Sequence, residues 1–200
     1  MTLARLFLAP LAVLLLLAPA RADELSLDEI SRYLNGLTTF EAEFTQINAD
    51  QTISTGIVKV QRPGRARFEY NPPDKTLVIA GGQRLAVFDG KSNTGPEQYP
   101  LKETPLNLIL GRSIDLAASD MVVDRRYDGL ATEITAQDPE HPEYGNIRLM
   151  FTDNPVALRQ WVITDSSGAE TTVILGALTE GVSFPTVTFS IEAEVARRQR

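Results

Sequence analysis

Apolar and polar residues alternate along most of the chain in short segments that turns interrupt. From Phe40 to Phe44 every second residue is apolar, which is the pattern of a strand with one buried face. Turn signals such as Pro-Gly, Gly-Gly, Asp-Gly and Ser-Gly recur at short intervals, and this spacing is typical of antiparallel hairpins. The pattern predicts about ten short strands in an open or closed barrel or a sandwich. Further predicted strands lie in KTLVIAG, RLAVFD, DMVVDRRY, ATEITAQ, NIRLMFTD, LRQWVITD and TTVILGALTEG.

Helical spacing replaces the alternation near the start of this region. Ser26 and Glu29 have the spacing of a capping box, and apolar residues then recur at helical intervals as far as Leu37. The pattern predicts an amphipathic helix over residues 26–37 that ends near Gly36. Its apolar stripe must lie on another part of the protein.

A second, shorter helix is predicted in the segment TPLNLILG. Thr104 is placed as the N-cap, Pro105 at the first helical position and Gly111 just past the end. A helix this short is not stable alone. It must be held by packing, and a few contacts leave it free to move.

The first 22 residues have the features of a secretory signal peptide. They carry Arg5, an apolar stretch too short for a confident membrane span, and the small-residue ending Ala20-Arg21-Ala22. We expect cleavage between Ala22 and Asp23. Residues 23–200 then form one predicted domain.

Charge and cysteine content exclude several classes of function. Without Arg5 and Arg21 the mature chain has 17 basic and 26 acidic residues, a net charge of −9. This balance argues against nucleic acid as a partner. Cysteine is absent, which excludes disulfides, thiolate catalysis and a cysteine-linked lipid anchor.

Motifs that would carry catalysis are missing. The one histidine, His141, lies near Glu140 and Glu143, but a solvated turn explains this segment better than a metal site does. Gly90–Ser92 resembles the end of a phosphate loop, yet Leu85 stands where that motif requires glycine. We therefore expect no enzyme activity, no catalytic residue, no metal and no cofactor.

Positive charge is concentrated in VQRPGRARFEYNPP, where Arg62, Arg65 and Arg67 fall within six positions. Pro63-Gly64 suits the centre of a type II turn, which would make Arg62 and Arg65 face each other across a hairpin. That arrangement is unfavourable unless another segment supplies acceptors. For Arg65 and Arg67 we favour solvated side chains, with pairing to Glu69 or Asp74 of little net value.

The order of four fragments resembles the periplasmic lipoprotein carrier family LolA. An N-terminal helix is followed by FEAEFTQ, then GIVKVQRPGRARFEYNPPDKTLVIAGGQRLAVFD, then TPLNLILG. The fragments lie at comparable spacing to the family pattern and follow a signal peptide. The resemblance covers most of the mature chain.

The resemblance implies a mainly β fold with a few α-helices: an unclosed antiparallel β-barrel, or half-barrel, whose helices form a lid over an apolar cavity. It also implies a periplasmic monomer that holds the acyl chains of lipoproteins. The implied partners are an inner-membrane lipoprotein-releasing ABC transporter and an outer-membrane lipoprotein acceptor. In the family, the arginine that matches Arg62 holds the lid by hydrogen bonds to carbonyls of the helices and loops, and a guanidinium with five donors suits that task.

Candidate lining residues follow from strand alternation and from the short helix. For two of them, Leu77 and Ile79, an ordinary core position is an equal alternative. The predicted lining is Phe68, Tyr70, Leu77, Ile79, Leu106, Ile109 and Leu110.

The chain departs from its relatives at two positions, where Ala66 and Ala86 replace larger family side chains. We expect a roomier cavity at these positions, which would tolerate Ala66→Phe and Ala86→Trp.

Other functions remain open at this point. The alternative hypothesis is a periplasmic lipid- or lipoprotein-sensing binding module with the same half-barrel fold, although no tether or additional domain is visible. The outer-membrane acceptor has an N-terminal cysteine that this chain lacks. An esterase ranks third because its motifs are missing.

Overall fold

The computed structural model describes residues 23–91 and 95–199. Within these ranges the chain forms a sheet of twelve strands and three α-helices. The predicted signal peptide, residues 1–22, lies outside the described residues. The strands are β1 (Thr39–Ile47), β2 (Ile53–Gln61), β3 (Arg65–Tyr70), β4 (Leu77–Gly81), β5 (Arg84–Phe88), β6 (Glu97–Pro100), β7 (Val122–Tyr127), β8 (Ala131–Gln137), β9 (Asn146–Thr152), β10 (Ala157–Thr164), β11 (Glu170–Leu175) and β12 (Thr179–Glu180). The helices are α1 (Leu27–Gly36), α2 (Leu106–Leu110) and α3 (Ile191–Arg198), and 3₁₀ turns cover Leu101–Glu103, Pro142–Tyr144 and Thr186–Phe189.

The strands pair with sequence neighbours except at the centre of the sheet. The order is β6-β5-β4-β3-β2-β1-β11-β10-β9-β8-β7, and β12 pairs with β1 beside β11. All of the described pairings are antiparallel. The end strands β6 and β7 do not pair with each other in the described sheet, so the barrel is unclosed. The predicted half-barrel is confirmed.

The two faces of the sheet carry different apolar clusters. The larger cluster lies on the face that α1 and α2 cover, which we call the inner face, and Phe40, Phe44 and Phe68 are buried in it. A smaller cluster lies on the opposite, outer face of β4 and β5, beneath α3. Its buried members are Leu77, Ile79, Ala86, Phe88 and Ile191.

Helix α1 forms where the sequence predicts it. Ser26 is the N-cap, its hydroxyl accepts from the backbone N–H of Glu29, and the Glu29 carboxylate accepts from the backbone N–H of Ser26 at 2.8 Å. This reciprocal pair satisfies two otherwise free donors at the helix start. Ile30 and Leu34 then face the larger cluster, so the predicted amphipathic helix is confirmed.

Helix α2 begins one residue later than predicted. Pro105 is the N-cap, because Thr104 belongs to the preceding 3₁₀ turn, where its hydroxyl donates to the Leu101 carbonyl at 2.8 Å. Gly111 follows the last helical residue, as expected. Leu106 and Leu110 are buried, so packing holds this five-residue helix.

Helix α3 was not predicted. Ser190 caps it by accepting from the backbone N–H of Ala193, and Ile191 enters the outer cluster. The end of β4 accommodates the chain just before this helix, since a Cβ atom on Gly81 would collide with the Phe189 carbonyl oxygen. None of the helices among the described residues is long and apolar enough to cross a membrane.

Candidate functional site

An apolar cavity lies between the inner face of the sheet and the helices α1 and α2. Its volume is about 20 Å³, which is room for about one water molecule. Its lining is Leu34, Leu37, Phe40, Val60, Arg62, Ala66, Phe68, Leu106, Ile109, Leu110, Leu158 and Trp161. The lid is therefore closed over a nearly filled space.

Four of the predicted lining residues, Phe68, Leu106, Ile109 and Leu110, line this cavity. Phe68 lies edge-to-face against Trp161, with 6.2 Å between the ring centroids. The three residues of α2 line the cavity on the side opposite the sheet. Their contact with acyl chains stays a prediction.

The placement of Leu77 and Ile79 in the cavity wall is wrong. Strand β3 pairs with β4 so that Phe68 lies opposite Val78, and Val78 packs on the inner cluster. Because side chains alternate between the faces of a sheet, the residues on either side of Val78 point to the outer face. Leu77 and Ile79 pack there beneath α3. This is the ordinary core position that the sequence analysis gave as the alternative.

Tyr70 lies further along β3 and is not among the residues that line the cavity. Its hydroxyl donates to the Gln46 side-chain carbonyl at 2.7 Å, and its ring lies edge-to-face on Phe44 at 5.2 Å. Burial raises the pKa of Tyr70 to about 12. Tyr70 is thus a core residue with a satisfied hydroxyl, and its prediction as cavity lining is wrong.

Strand β10 contributes two lining residues that the alternation did not identify, Leu158 and Trp161. An irregularity in the pairing between Leu158 and Gln160 places both side chains on the inner face despite their odd spacing. Trp161 is 1% exposed, and its indole N–H has no hydrogen-bond partner among the described residues. Strict alternation along a strand would place Leu158 and Trp161 on opposite faces of the sheet, so it could not have identified both as lining residues.

The Arg62 guanidinium lies at the junction of the β2–β3 hairpin with the lid. Its Nε and Nη2 donate to the Gly111 carbonyl at 3.0 and 2.7 Å. Nη1 donates to the Leu34 carbonyl, and Nη2 lies 3.4 Å from Asn35 Oδ1. Arg62 therefore bonds the end of α1 and the residue that follows α2, which is the geometry expected of a latch.

Further hydrogen bonds support this junction. The backbone N–H of Gly64 donates to the Leu110 carbonyl at 2.9 Å, and the Asn35 side chain bonds both the N–H and the carbonyl of Ile114. Burial lowers the pKa of Arg62, since desolvation disfavours the charged form. Arginine nevertheless stays protonated in proteins, so the latch is cationic and held by neutral acceptors.

The predicted opposition of Arg62 and Arg65 is wrong. Gln61 pairs with Arg65, so Arg62 belongs to the three-residue connection between the strands. Its own backbone N–H donates to the Thr38 carbonyl at 2.8 Å. The like charges therefore do not face each other across the ladder.

The expectation of a solvated Arg67 is also wrong. Its side chain is only 12% exposed and contacts Glu69 at 2.7 Å and Glu194 at 3.5 Å. It also donates to the Thr188 carbonyl at 3.2 Å. Arg67 thus anchors α3 to the outer face, whereas the Arg65 side chain makes a long contact of 3.5 Å with Gln61.

His141 lies in a surface turn. Its Nδ1 is 3.0 Å from Glu143, and its ring stacks on Tyr144. Within residues 23–91 and 95–199, no three His, Cys, Asp or Glu side chains are grouped so that they could hold a metal ion. The structure thus brings no metal-ligand set together around this histidine.

Comparisons with known proteins give a family for this fold and cavity. Two curated relatives are called outer-membrane lipoprotein carrier protein. The one from Azotobacter vinelandii is 24% identical over 171 residues, covering 82% of each chain. The one from Nitrosomonas europaea is 25% identical over 192 residues, covering 92% of this chain and 90% of the relative.

Among solved structures, a DUF1329 family protein from Desulfovibrio piger has a similar fold. It has a TM-score of 0.50 at 9% identity and covers 84% of this chain and 95% of its own. The family model for outer membrane lipoprotein carrier protein LolA matches residues 35–192. This match covers most of the sheet, α2 and the Arg62 hairpin, so the chain belongs to the LolA family of outer membrane lipoprotein carrier proteins.

Proposed function

We propose that this protein carries lipoproteins through the periplasm by holding their acyl chains beneath α1 and α2. The observation that carries the proposal is an apolar cavity closed by helices that one arginine ties down through backbone carbonyls. The family model and the names of the curated relatives support the same function. The sensing module considered as the alternative is not favoured by them.

The closed cavity requires movement before cargo enters. A space of about 20 Å³ cannot hold an acyl chain, since it admits about one water molecule. Helix α2 has five residues, too few to be stable without tertiary contacts. It is therefore the element that acyl chains displace most easily.

Arg62 sets the energy of the closed state. Hydrogen bonds from a charged group contribute about 1.5–3 kcal/mol each, and those of Arg62 end on α1 and on Gly111 beside α2. They form only when both helices lie in their closed positions. The latch therefore stabilises the empty, closed form against the loaded, open form.

The stabilisation of the empty, closed form helps the carrier to release its cargo to an acceptor. Full burial of three chains of about fifteen methylenes would release roughly 36 kcal/mol at about 0.8 kcal/mol per methylene. Measured noncovalent affinities end near about 18–21 kcal/mol. Useful release requires that burial be partial or that the empty form be favourable, and a latch that re-forms on release supplies the second condition.

The proposed route has two partners. We infer loading from an inner-membrane lipoprotein-releasing ABC transporter and delivery to an outer-membrane lipoprotein acceptor, with the carrier as a monomer. A cleavable signal peptide over residues 1–22 would place the chain in the periplasm. We propose no enzyme activity, since the transfer of cargo breaks no covalent bond.

Native mass spectrometry of the protein purified from its own periplasm tests the function. We expect a fraction of the protein to be associated with acylated lipoproteins, and that fraction should be lost when acylation of the cargo is blocked. A carrier that co-purifies with no acylated protein, and that binds no triacylated peptide in vitro, would refute the proposal.

A further inference from the structure

A groove of about 780 Å³ lies beside the lid, where the 3₁₀ turn before α2 meets the Pro142–Tyr144 turn and the end of β10. Its volume falls in the range of about 300–1,000 Å³ that is usual for ligand sites. We call it the acidic groove. Its lining is Leu85, Tyr99, Glu103, Thr104, Pro105, Leu106, Glu143, Tyr144, Ile163, Asp165 and Ser166.

One side chain separates the acidic groove from the cavity. Leu106 lines the cavity and also lines the groove. Two other groove residues, Leu85 and Ile163, are partly buried and pack against the inner cluster. Anything that passes the edge of α2 at Leu106 therefore enters a groove with an apolar floor.

The rim of this groove has one sign of charge. Three of its lining residues are acidic and none is basic. Hydrogen bonds from Ser167 lower the pKa of Asp165, and a backbone hydrogen bond together with His141 lowers the pKa of Glu143. Both carboxylates are ionised at neutral pH, so the groove suits a cationic or neutral occupant.

The opposite side of the lid has a different character. The groove there is lined by Arg65, Lys102 and Arg112, with Glu192 as its acidic residue. It shares Leu110 with the cavity, but charge distinguishes it from the acidic groove. The two grooves beside the lid therefore suit occupants of opposite charge.

We propose that the acidic groove seats the polypeptide segment that follows the acylated cysteine of a cargo lipoprotein, and favours segments with lysine or arginine over segments with aspartate or glutamate. This inference rests on the proposed function. Acyl chains in the cavity are covalently joined to a polypeptide that must leave beside the lid. The route past Leu106 offers that segment an apolar floor and complementary charge.

Three synthetic lipopeptides test the preference, each a tripalmitoylated cysteine followed by serine and a tail of lysines, glutamates or serines. The probes are titrated into the intact mature protein at low salt. We expect the lysine tail to bind about tenfold more tightly than the glutamate tail, and high salt to remove most of the difference. Equal affinities for the two charged tails would overturn the inference.

A pair of matched variants separates the groove from the net charge. Glu103→Gln with Glu143→Gln should abolish most of the preference without changing the affinity for the serine tail. Glu43→Gln with Asp120→Asn removes the same amount of charge from exposed positions outside the groove and should keep the preference. Equal loss in both variants would assign the effect to the overall field and overturn the inference.

The serine-tailed probe distinguishes a failure of the proposed function from a failure of the groove assignment. If it does not bind at all, the proposed function fails; if it binds while the tail charge has no effect, only the groove assignment fails. A photoreactive group on the residue after the cysteine should crosslink to peptides containing Tyr99 or Tyr144. Crosslinks confined to the Arg65 and Arg112 side would place the tail in the other groove and overturn the assignment.

A second copy of this chain is the competing occupant. Sedimentation velocity at the titration concentrations should give a monomer for the wild type and for the Glu103→Gln, Glu143→Gln variant. A dimer that this variant alone dissociates would assign the groove to self-association and overturn the inference.

Discussion

The Arg62 side chain joins three parts of the chain that are distant in sequence. It donates to Leu34 at the end of α1 and to Gly111 after α2, from a position in the β2–β3 connection. Lysine could not reproduce this arrangement, because its ammonium lacks the planar fork that spans separate acceptors. One side chain therefore supplies several of the hydrogen bonds that hold the lid closed.

Replacement of Arg62 by leucine is expected to leave the fold intact and to block transfer. The variant loses the hydrogen bonds that favour the empty, closed form, while the apolar cavity still accepts acyl chains. Loaded variant should therefore retain its lipoprotein when it is mixed with acceptor membranes. Arg65→Leu is the control, since Arg65 lies on the same hairpin and its contact with Gln61 is long, at 3.5 Å. Equal transfer by both variants would remove the latch role from Arg62.

The structure separates the two alanines, Ala66 and Ala86, that were predicted to make the cavity roomier. Ala66 lines the cavity, but the closed space of about 20 Å³ has no room for a phenyl ring. Ala86 is fully buried in the outer cluster beneath α3. The roomier-cavity interpretation is therefore wrong for Ala86, and at Ala66 extra room would exist only with the lid open.

Ala86→Trp is expected to lower stability and to leave cargo affinity unchanged. Overpacking of a close-packed site costs about 1–3 kcal/mol, and a tryptophan at this site would strain the contact with Ile191. Ala66→Phe is the matched comparison and should weaken acyl binding, because its ring fits only when the lid is open and then fills space that the acyl chains would use. Chemical denaturation and lipopeptide titration of both variants check this pair, and reduced cargo affinity in Ala86→Trp would contradict the separation of the two faces.

At the scale of elements, α3 depends on a charge cluster at its base. Glu194 is 5% exposed and lies 3.5 Å from Arg67, 2.6 Å from Arg197 and 2.9 Å from Arg198. Arg198 also lies over the Phe88 ring at 4.7 Å. One carboxylate thus pairs with three cations, and through Arg67 it ties this helix to β3.

Glu194→Ala is expected to destabilise the protein by about 1–3 kcal/mol, the range for leaving a buried polar group without one of its hydrogen-bond partners. The reason is that Arg67 stays largely buried and loses its acceptor on α3. Glu192→Ala, at an exposed site on the same helix, should change the free energy of unfolding far less. Denaturant unfolding of both variants decides the matter, and similar losses would show that acidic residues in the first turn of α3 act through the helix N-terminus and not through the ion pair.

Acid should weaken the same contact. Burial raises the pKa of Glu194, but hydrogen bonds from Arg197 and Arg198 outweigh burial, so the pKa lies below its ordinary value of 4.5. A carboxylate with a lowered folded pKa contributes stability above its unfolded pKa, and this stability is lost as pH falls through the folded pKa. Wild type should therefore lose more stability than Glu194→Gln as the pH falls from 5 to 3. Parallel pH curves would exclude the Glu194 contribution.

The local elements could be predicted because their signals are local. The Ser26 capping box and the Gly111 stop depend on residues a few positions apart, and so do the paired turn residues. The face of β4 could not be predicted in the same way, since its register against β3 depends on how the connection over residues 71–76 folds. The irregularity near Leu158 and the docking of α3 on Gly81 likewise depend on contacts with distant strands.

For the whole molecule, the sheet separates two tasks. Its inner face, with α1 and α2, forms the cavity and the latch, while its outer face, with α3, forms a second core. Opening of the lid leaves the packing of the outer cluster unchanged, because the residues of that cluster lie on the far side of β4 and β5. Cargo can therefore displace α2 while α3 continues to hold the sheet.

Amide hydrogen exchange should show this separation directly. Addition of the serine-tailed lipopeptide is expected to increase exchange in α2 and in the residues that follow it, because the Arg62 and Gly64 hydrogen bonds to Gly111 and Leu110 must break when the lid opens. Exchange in α3 should stay within experimental error of the empty protein. Arg62→Leu should show fast exchange in α2 before any lipid is added, since its latch is already absent. If cargo instead slows exchange in α2 and speeds it in α3, the acyl chains enter from the outer face and the assignment of the lid is wrong.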